Sequence, residues 1–142
     1  MKPFHILLVE DNEGDIIIAT EAIERMEKVN KVSVTRDGDE AIEFLEIILD
    51  TANKILPDLI LLDINLPKKN GYEVLEFIKR DERLKHIPVI VLSTSSNQKD
   101  VRKAYSHHAN CYITKPDEIA DYFKIMQAIE FFWLSMVKLT IC

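Results

Sequence analysis

The chain has 142 residues, a length that suits one domain whose core needs no metal or disulfide support. Hydrophobic residues make up 47% and charged residues 30%, which is typical of a globular protein and excludes disordered, fibrous and membrane-spanning classes. The net charge of −6, with no cluster of Lys and Arg, argues against a nucleic-acid-binding surface.

The two cysteines, Cys111 and Cys142, show no CxxC spacing, so neither a structural disulfide nor a zinc site is expected. The first residues run directly into a strand-like segment, without the apolar stretch of about 7–15 residues that marks a secretory signal. No apolar run approaches the roughly 18 residues that would span a bilayer. We therefore expect a cytoplasmic protein that does not contact a membrane.

The hydrophobic pattern alternates between strand-like and helix-like segments five times. The first strand is predicted over His5–Val9, and a turn at residues 12–15 caps a helix with apolar residues at helical spacing. A short second strand over Val32–Thr35 precedes a second helix. That helix begins at Asp37, and Glu40 stands where a capping box places its acidic partner.

The third strand, Leu59–Leu62, is apolar enough to be buried on both faces, and it ends abruptly at Asp63. Asn70 is the predicted cap of the next helix. A fourth strand over Val89–Leu92 ends in a run of hydroxyl residues, and a helix from about Asn97 to Ser106 follows it.

The fifth strand is predicted over Asn110–Ile113, and the last helix runs from about Asp117 past Trp133. Five β-then-α units with short connections predict right-handed crossovers. The fold class is therefore doubly wound α/β, a five-stranded parallel sheet with helices on both faces. Strand order cannot be derived from one sequence, but the flavodoxin-like order 2-1-3-4-5 is a common solution and is the order we expect.

Five polar side chains follow or end the predicted strands, and a parallel sheet would gather them at one edge: Glu10, Asp11, Asp63, Ser93 and Lys115. Any one alone is more simply a turn former or a helix cap. Three carboxylates in one crevice repel one another, so one would be protonated unless a cation lay among them. Hard oxygen ligands suit Mg²⁺, which is the predicted cofactor.

An aspartate beside Mg²⁺, an ammonium group and a hydroxyl is the arrangement that an aspartyl-phosphate intermediate requires. The carboxylate is the nucleophile, and the cations neutralise charge on the transferring phosphoryl group. We therefore predict phosphoryl transfer to Asp63, with Lys115 as the ammonium and Ser93 as the hydroxyl.

With these motifs, the chain resembles a response regulator receiver domain over essentially its whole length. The resemblance implies that Asp63 accepts a phosphoryl group from the phosphohistidine of a sensor histidine kinase. It rests on Glu10-Asp11, on Asp63 with Asn65, Pro67 and Gly71 after it, on Ser93 in a strand opened by Pro88, and on Lys115-Pro116.

The resemblance implies a ligand set for Mg²⁺. Asp11, Asp63 and the backbone carbonyl of Asn65 would bind the metal, while Glu10 would act mainly through water. Glu10 stands where many members have Asp, and its extra methylene should not abolish binding. Lys115 would contact the phosphoryl group.

The resemblance also implies a switch, in which Ser93 moves towards the phosphoryl group and Tyr112 turns inward. A half-buried strand aromatic is the simpler interpretation of Tyr112, and it stays open. A cis peptide before Pro116 is usual in the family. His107 and His108 more simply end a helix than bind a metal or phosphate.

Thr94, directly after the switch hydroxyl, is bulkier than the Ala or Gly often found there. We hypothesise that Thr94 narrows access to the acyl phosphate and so slows attack by water and small donors.

The end of the last helix carries apolar residues all round, whereas a helix that packs on one side needs a single apolar face. They either cover the core or form a surface for a homodimer or for kinase docking. Small regulators that pair with phytochrome-like histidine kinases resemble this chain from Ser93 to Lys115 and at Phe132–Leu134.

We predict a single receiver domain over residues 1–142 with an extended C-terminal helix and no output domain. It signals through protein contacts of the fourth helix, fifth strand and fifth helix, and it takes no small molecule beyond phosphodonors. It is a phosphoacceptor switch with slow self-dephosphorylation, not an enzyme.

Three alternative functions fit the sequence less well. A haloacid dehalogenase-type hydrolase needs an acid two residues after the nucleophile, where this chain has Asn65. A nucleotide or flavin binder would need a GxGxxG or Walker A motif, which is lacking. The intact Asp11, Asp63 and Lys115 argue against a degenerate scaffold.

Overall fold

The computed structural model describes residues 4–52 and 55–140 of the chain. Within these residues, strands and helices alternate, and a π-helical segment follows the last α-helix. The strands are β1 (Phe4–Val9), β2 (Val29–Thr35), β3 (Leu59–Asp63), β4 (Val89–Ser93) and β5 (Cys111–Thr114). The helices are α1 (Glu13–Glu24), α2 (Gly38–Leu49), α3 (Gly71–Arg80), α4 (Gln98–Ser106) and α5 (Ile119–Ile129), and the π-helical segment is Glu130–Met136. None of these helices is long and apolar enough to cross a membrane.

The five strands form one parallel sheet in the order β2-β1-β3-β4-β5, which confirms the predicted flavodoxin-like topology. Side chains of β3 point alternately to the two faces of the sheet. Ile60 and Leu62 pack in a core with α2, α3 and α4, while Leu59 and Leu61 pack in a second core with α1 and α5. Both faces of β3 are buried, which explains its unbroken apolar run.

The predicted cap residues begin their helices as expected. The Asp37 side chain accepts a hydrogen bond from the Glu40 backbone N–H at 2.7 Å, and Asn70 accepts one from Glu73 at 3.1 Å. Asn97 caps α4 in the same way. These local bonds satisfy N–H groups that a helix leaves free in its first turn, so short-range sequence signals were sufficient to find them.

The strands β1, β3 and β4 are each one residue longer than predicted, and β2 and β5 also differ from the prediction. β2 begins at Val29 rather than Val32, because Val29 pairs with Phe4 and the register then shifts before His5. The irregular register breaks the period-two pattern from which the strand was predicted. β5 runs one residue later than predicted and ends at Thr114.

The last helix also differs from the prediction. It begins at Ile119 rather than near Asp117, and beyond Ile129 it continues with π-helical hydrogen bonds. In an α-helix, residues three or four positions apart lie on the same face, whereas in the wider π-helix residues five positions apart do. Leu134 is buried as a result, whereas Phe132 and Met136, which a continuous α-helix would align with Ile129, are exposed.

Candidate functional site: an acidic cavity at the carboxyl edge of the sheet

The register of the sheet brings the predicted site residues to one edge. Glu10 and Asp63 each follow a paired residue of β1 and β3, so they lie side by side. Lys115 follows β5, and its backbone N–H donates to the carbonyl of Ser93 at 2.7 Å. The ends of β3 and β4 and the residues directly after β1 and β5 therefore converge, as the parallel topology requires.

A cavity of about 440 Å³ opens between these strand ends and the start of α1. Ser93 is buried and does not line this cavity. Thr94, the next residue, is exposed and does line it. The full lining is Glu10, Asp11, Asn12, Glu13, Asp15, Asp63, Asn65, Thr94 and Lys115.

Asp63 is 7% exposed, and its two carboxylate oxygens have different partners. Oδ1 accepts a hydrogen bond from the backbone N–H of Asn65 at 3.1 Å, and Oδ2 lies 3.5 Å from Nζ of Lys115. The loop after Asp63 folds tightly over Gly71, where a Cβ atom would lie 2.6 Å from the Asp63 carbonyl. Gly71 therefore lets the backbone pass close enough to hold Asp63 at the cavity.

Glu10, Asp11 and Asp63 can each offer one oxygen so that all three oxygens lie within 4.8 Å of one another. Burial and the neighbouring Asp63 raise the pKa of Glu10 to about 8, against the opposing effect of Lys115. Burial is the larger of the two causes, and the neighbouring Asp63 adds to it, so Glu10 is the carboxylate of the three that is pushed towards protonation. Three hard carboxylate oxygens fit a divalent cation.

Lys115 is the centre of an ion-pair network. Its Nζ donates to Glu10 at 2.5 Å and to Asp15 at 2.9 Å, besides its longer contact with Asp63. Burial lowers the pKa of Lys115, but its hydrogen bonds to Glu10 and Asp15 outweigh burial and hold this pKa above its usual value.

Asp15 was missed as a site residue, because the sequence placed it only in the turn that caps α1. It lies in the first turn of that helix, where its backbone N–H donates to the Asn12 side chain. A usable signal was present: an acidic residue one helical turn after Asp11 projects from a helix that starts at the site.

Ser93 and Tyr112 are linked through one residue of the β4–α4 loop. Ser93 Oγ accepts from the Ser95 backbone N–H at 3.2 Å, and the Tyr112 hydroxyl donates to the Ser95 carbonyl at 2.7 Å. The Ser95 hydroxyl in turn donates to Asp100 at the start of α4. The structure therefore brings the two predicted switch residues to opposite sides of one peptide segment.

Further sequence predictions concern the peptide before Pro116, two histidines and two cysteines. The peptide before Pro116 is trans, which corrects the family expectation and accords with the trans preference of X–Pro bonds of about 0.5–1 kcal/mol. His107 and His108 end α4, as predicted. Cys111 is a free, half-buried thiol, whereas Cys142 lies outside the described residues.

The fold and the site define a class of protein. A family model for the response regulator receiver domain matches residues 6–127. The chain belongs to this family and is a response regulator of two-component signal transduction. This outcome sets aside the hydrolase and nucleotide-binding alternatives.

The similar proteins include response regulators that are described as phytochrome regulators. Response regulator Rcp1 of Synechocystis sp. is 46% identical over 137 residues, covering 96% of this chain and 93% of the relative. The crystal structure of the phosphorylated cyanobacterial phytochrome response regulator RcpA is 48% identical, with a TM-score of 0.92 and coverage of 99% and 100% of the two chains. The Mn²⁺-bound form of Rcp1 is 45% identical, with a TM-score of 0.88 and coverage of 98% and 100%.

Proposed function

We propose that Asp63 is the phosphoacceptor of this response regulator and that a phytochrome-like sensor histidine kinase is its phosphodonor. The observation that carries this assignment is the buried carboxylate of Asp63, held between the ammonium of Lys115 and two further carboxylates. The phosphorylated state of the similar RcpA and its description as a phytochrome response regulator support it.

In the transfer, a carboxylate oxygen of Asp63 attacks the phosphorus atom. A P–O bond forms, the P–N bond of the phosphohistidine breaks, and the imidazole leaves. Hydrolysis restores the free carboxylate of Asp63. Water attacks the phosphorus atom, the P–O bond to Asp63 breaks, and inorganic phosphate and a proton are released. The Asn65 side chain has no carboxylate to take a proton from the attacking water, so this self-dephosphorylation is slow and the domain is a switch rather than an enzyme.

Mg²⁺ is the metal that we assign to the cluster of Glu10, Asp11 and Asp63, with the carbonyl of Asn65 as a further ligand. The donor set consists of hard oxygens, and the Mn²⁺-bound form of the similar Rcp1 supports a divalent site. Bound Mg²⁺ would neutralise charge on the phosphoryl oxygens. Asp11 lines the cavity and is exposed, so a metal ion bound there would also be open to water ligands.

The switch that we propose runs through Ser95. When the Ser93 hydroxyl moves towards a phosphoryl oxygen, its hydrogen bond with the Ser95 N–H breaks. The backbone at Ser95, whose carbonyl accepts from the Tyr112 hydroxyl, is then free to move. The bond from Ser95 to Asp100 carries this change to α4. The signal would leave through protein contacts of α4, β5 and α5 in the cytoplasm.

Self-association is a second property that we propose. Phe131, Phe132 and Met136 of the π-helical segment are 64%, 50% and 63% exposed, whereas Leu134 is buried in the core. The segment therefore both covers the core and leaves an apolar patch for a second copy. Phe131→Glu with Phe132→Glu should lower the sedimentation-derived mass to that of a monomer, and an unchanged mass would contradict homodimer formation through this patch.

The test of phosphorylation is mass spectrometry after incubation with Mg²⁺ and acetyl phosphate. We expect a gain of one phosphoryl group that is stable in acid and labile in base, absent in Asp63→Asn and retained in Asp39→Asn, which alters an exposed aspartate of α2. Labelling that persisted in Asp63→Asn would overturn the assignment. A phosphorylated phytochrome-like kinase replaces acetyl phosphate in the test of the donor.

A further inference from the structure

The ammonium of Lys115 has no free donor in this site. An ammonium group carries three N–H bonds, and Nζ contacts three carboxylates: Glu10 at 2.5 Å, Asp15 at 2.9 Å and Asp63 at 3.5 Å. The Lys115 side chain is 6% exposed, so water does not readily substitute for any of these partners. A phosphoryl group on Asp63 takes over only the long contact between Asp63 and Lys115, so it can bind Lys115 more closely only if another carboxylate gives way.

Asp15 is the partner that can give way most easily. Glu10 is 2% exposed, and its second oxygen also accepts from the Asn12 backbone N–H, so it is held from two sides. Asp63 is the group that reacts. The Asp15 side chain is 29% exposed, lies on the first turn of α1 and stands outside the three-carboxylate metal cluster. It can turn into water while its backbone stays in the helix.

Asp15 also opposes the incoming group by its charge. A phosphoryl group adds about 1.5 to 2 negative charges beside Asp63. Asp15 repels those charges and competes for the same N–H of Lys115. Glu13 lines the same cavity, but its carboxylate pairs with Arg36 at 2.8 Å and does not contact Lys115.

We propose that Asp15 is a positioning residue that holds Lys115 in the unphosphorylated protein and must release it for the phosphoryl group, so that Asp15 limits the rate of phosphorylation. The inference rests on Asp63 being the phosphoacceptor. It involves the exchange of a hydrogen bond, in which the Lys115 N–H leaves the Asp15 carboxylate and donates to a phosphoryl oxygen, with no proton transferred.

The test compares Asp15→Asn with the wild type in two measurements. The first is the initial rate of labelling by acetyl phosphate, and the second is the affinity for beryllofluoride, an analogue of the phosphoryl group. Both should rise about twofold to fivefold in Asp15→Asn, the range that a partly exposed ion pair supports. Asp15→Glu, which keeps the charge, should stay near the wild type.

Glu13→Gln is the matched control, because it removes a negative charge from the same rim without touching Lys115. Its rate should change less than that of Asp15→Asn. The gain in Asp15→Asn should shrink as salt rises, since salt screens the repulsion, whereas a merely structural effect of the substitution would not. Asp15→Ser is the second variant if Asp15→Asn unfolds.

The outcomes separate the two proposals. If the wild type is labelled but Asp15→Asn is labelled no faster, the role of Asp15 is overturned and Asp63 remains the acceptor. The same follows if the labelling rate rises equally in Glu13→Gln. A wild type that does not label at all would overturn the proposed function, and the role of Asp15 would fall with it.

Discussion

Two tyrosines near the site differ in what their hydroxyl groups contact. The Tyr112 hydroxyl donates to the carbonyl of Ser95, whereas the buried hydroxyl of Tyr122 on α5 has no hydrogen-bond partner among the described residues. Burial raises the pKa of Tyr122. Removal of the hydroxyl should therefore change the free energy of unfolding in opposite directions at the two tyrosines.

We predict that Tyr112→Phe lowers the free energy of unfolding by about 0.5–1.5 kcal/mol, because a bond is lost and a carbonyl is left unpaired. Tyr122→Phe should leave this free energy unchanged or raise it by up to about 1 kcal/mol, because an unpaired buried hydroxyl is removed. Urea unfolding of the two variants beside the wild type provides the measurement. A loss of more than about 1 kcal/mol in Tyr122→Phe would mean that its hydroxyl is paired in solution.

Thr94 lines the cavity that also holds Asp63, which supports the hypothesis that its bulk limits access to the acyl phosphate. Thr94→Ala should speed both self-dephosphorylation and labelling by acetyl phosphate by roughly threefold, equivalent to about 0.6 kcal/mol in the barrier. Thr94→Val is the matched control, since it keeps the bulk and loses the hydroxyl. If both rates were unchanged in Thr94→Ala, the hypothesis would fail.

At the level of elements, α4 ends without the glycine that usually ends a helix. His108 adopts a left-handed conformation with φ of 71°, its N–H donates to the Tyr105 carbonyl, and the next N–H, of Ala109, donates to Ala104. This pair of bonds is a Schellman motif with histidine in the position that favours glycine. The side chain at this position costs stability because Cβ crowds the backbone.

We predict that His108→Gly raises the free energy of unfolding by about 1 kcal/mol, because glycine adopts this conformation without the crowding. His108→Ala keeps Cβ and should give no such gain. Thermal or urea unfolding measures both variants. Equal stability of the two variants would contradict a cost that arises from the left-handed backbone.

The helical and strand elements were predictable wherever the signal is local. Caps such as Asp37 and Asn70 were found because each bonds an N–H three residues away. The π-helical segment was not predicted, because its wider turn depends on packing Leu134 into the core rather than on any local residue preference. The start of β2 was missed because an irregular register with β1 interrupts its pattern.

At the scale of the whole molecule, stability should be linked to Mg²⁺ and to pH through Glu10. The pKa of Glu10 is about 8, above its usual value of 4.5. A raised pKa contributes stability that is full below about pH 4.5 and is lost as pH rises towards 8. Metal ligands must be ionised, so bound Mg²⁺ favours the opposite change.

We predict that Mg²⁺ at ten times its Kd stabilises the fold by about 1.4 kcal/mol, and that its affinity rises between pH 6.5 and pH 8. Above pH 6.5 the experiment avoids protonation of His5, whose pKa is lowered by burial and by Lys31. Urea unfolding with and without MgCl₂ at both pH values measures the effect. Asp11→Asn should remove the Mg²⁺ effect, and Glu10→Gln should flatten its pH dependence; an equal affinity at both pH values in the wild type would contradict the linkage.

The sequence by itself determined the α/β class and most of the candidate site. Buried parallel strands appear in the sequence as short apolar runs. A polar residue directly after such a run lies at the carboxyl edge of the sheet, independently of how the other elements pack. Glu10 and Asp63 were found for this reason.

Only the tertiary structure decided how these groups are paired. Asp15 and Lys115 are 100 residues apart in the chain, and their contact exists because α1 starts at the same edge at which β5 ends. The link from Ser93 through Ser95 to Tyr112 likewise joins two strands and a loop. Such contacts depend on distances between elements, which no local pattern of residues encodes.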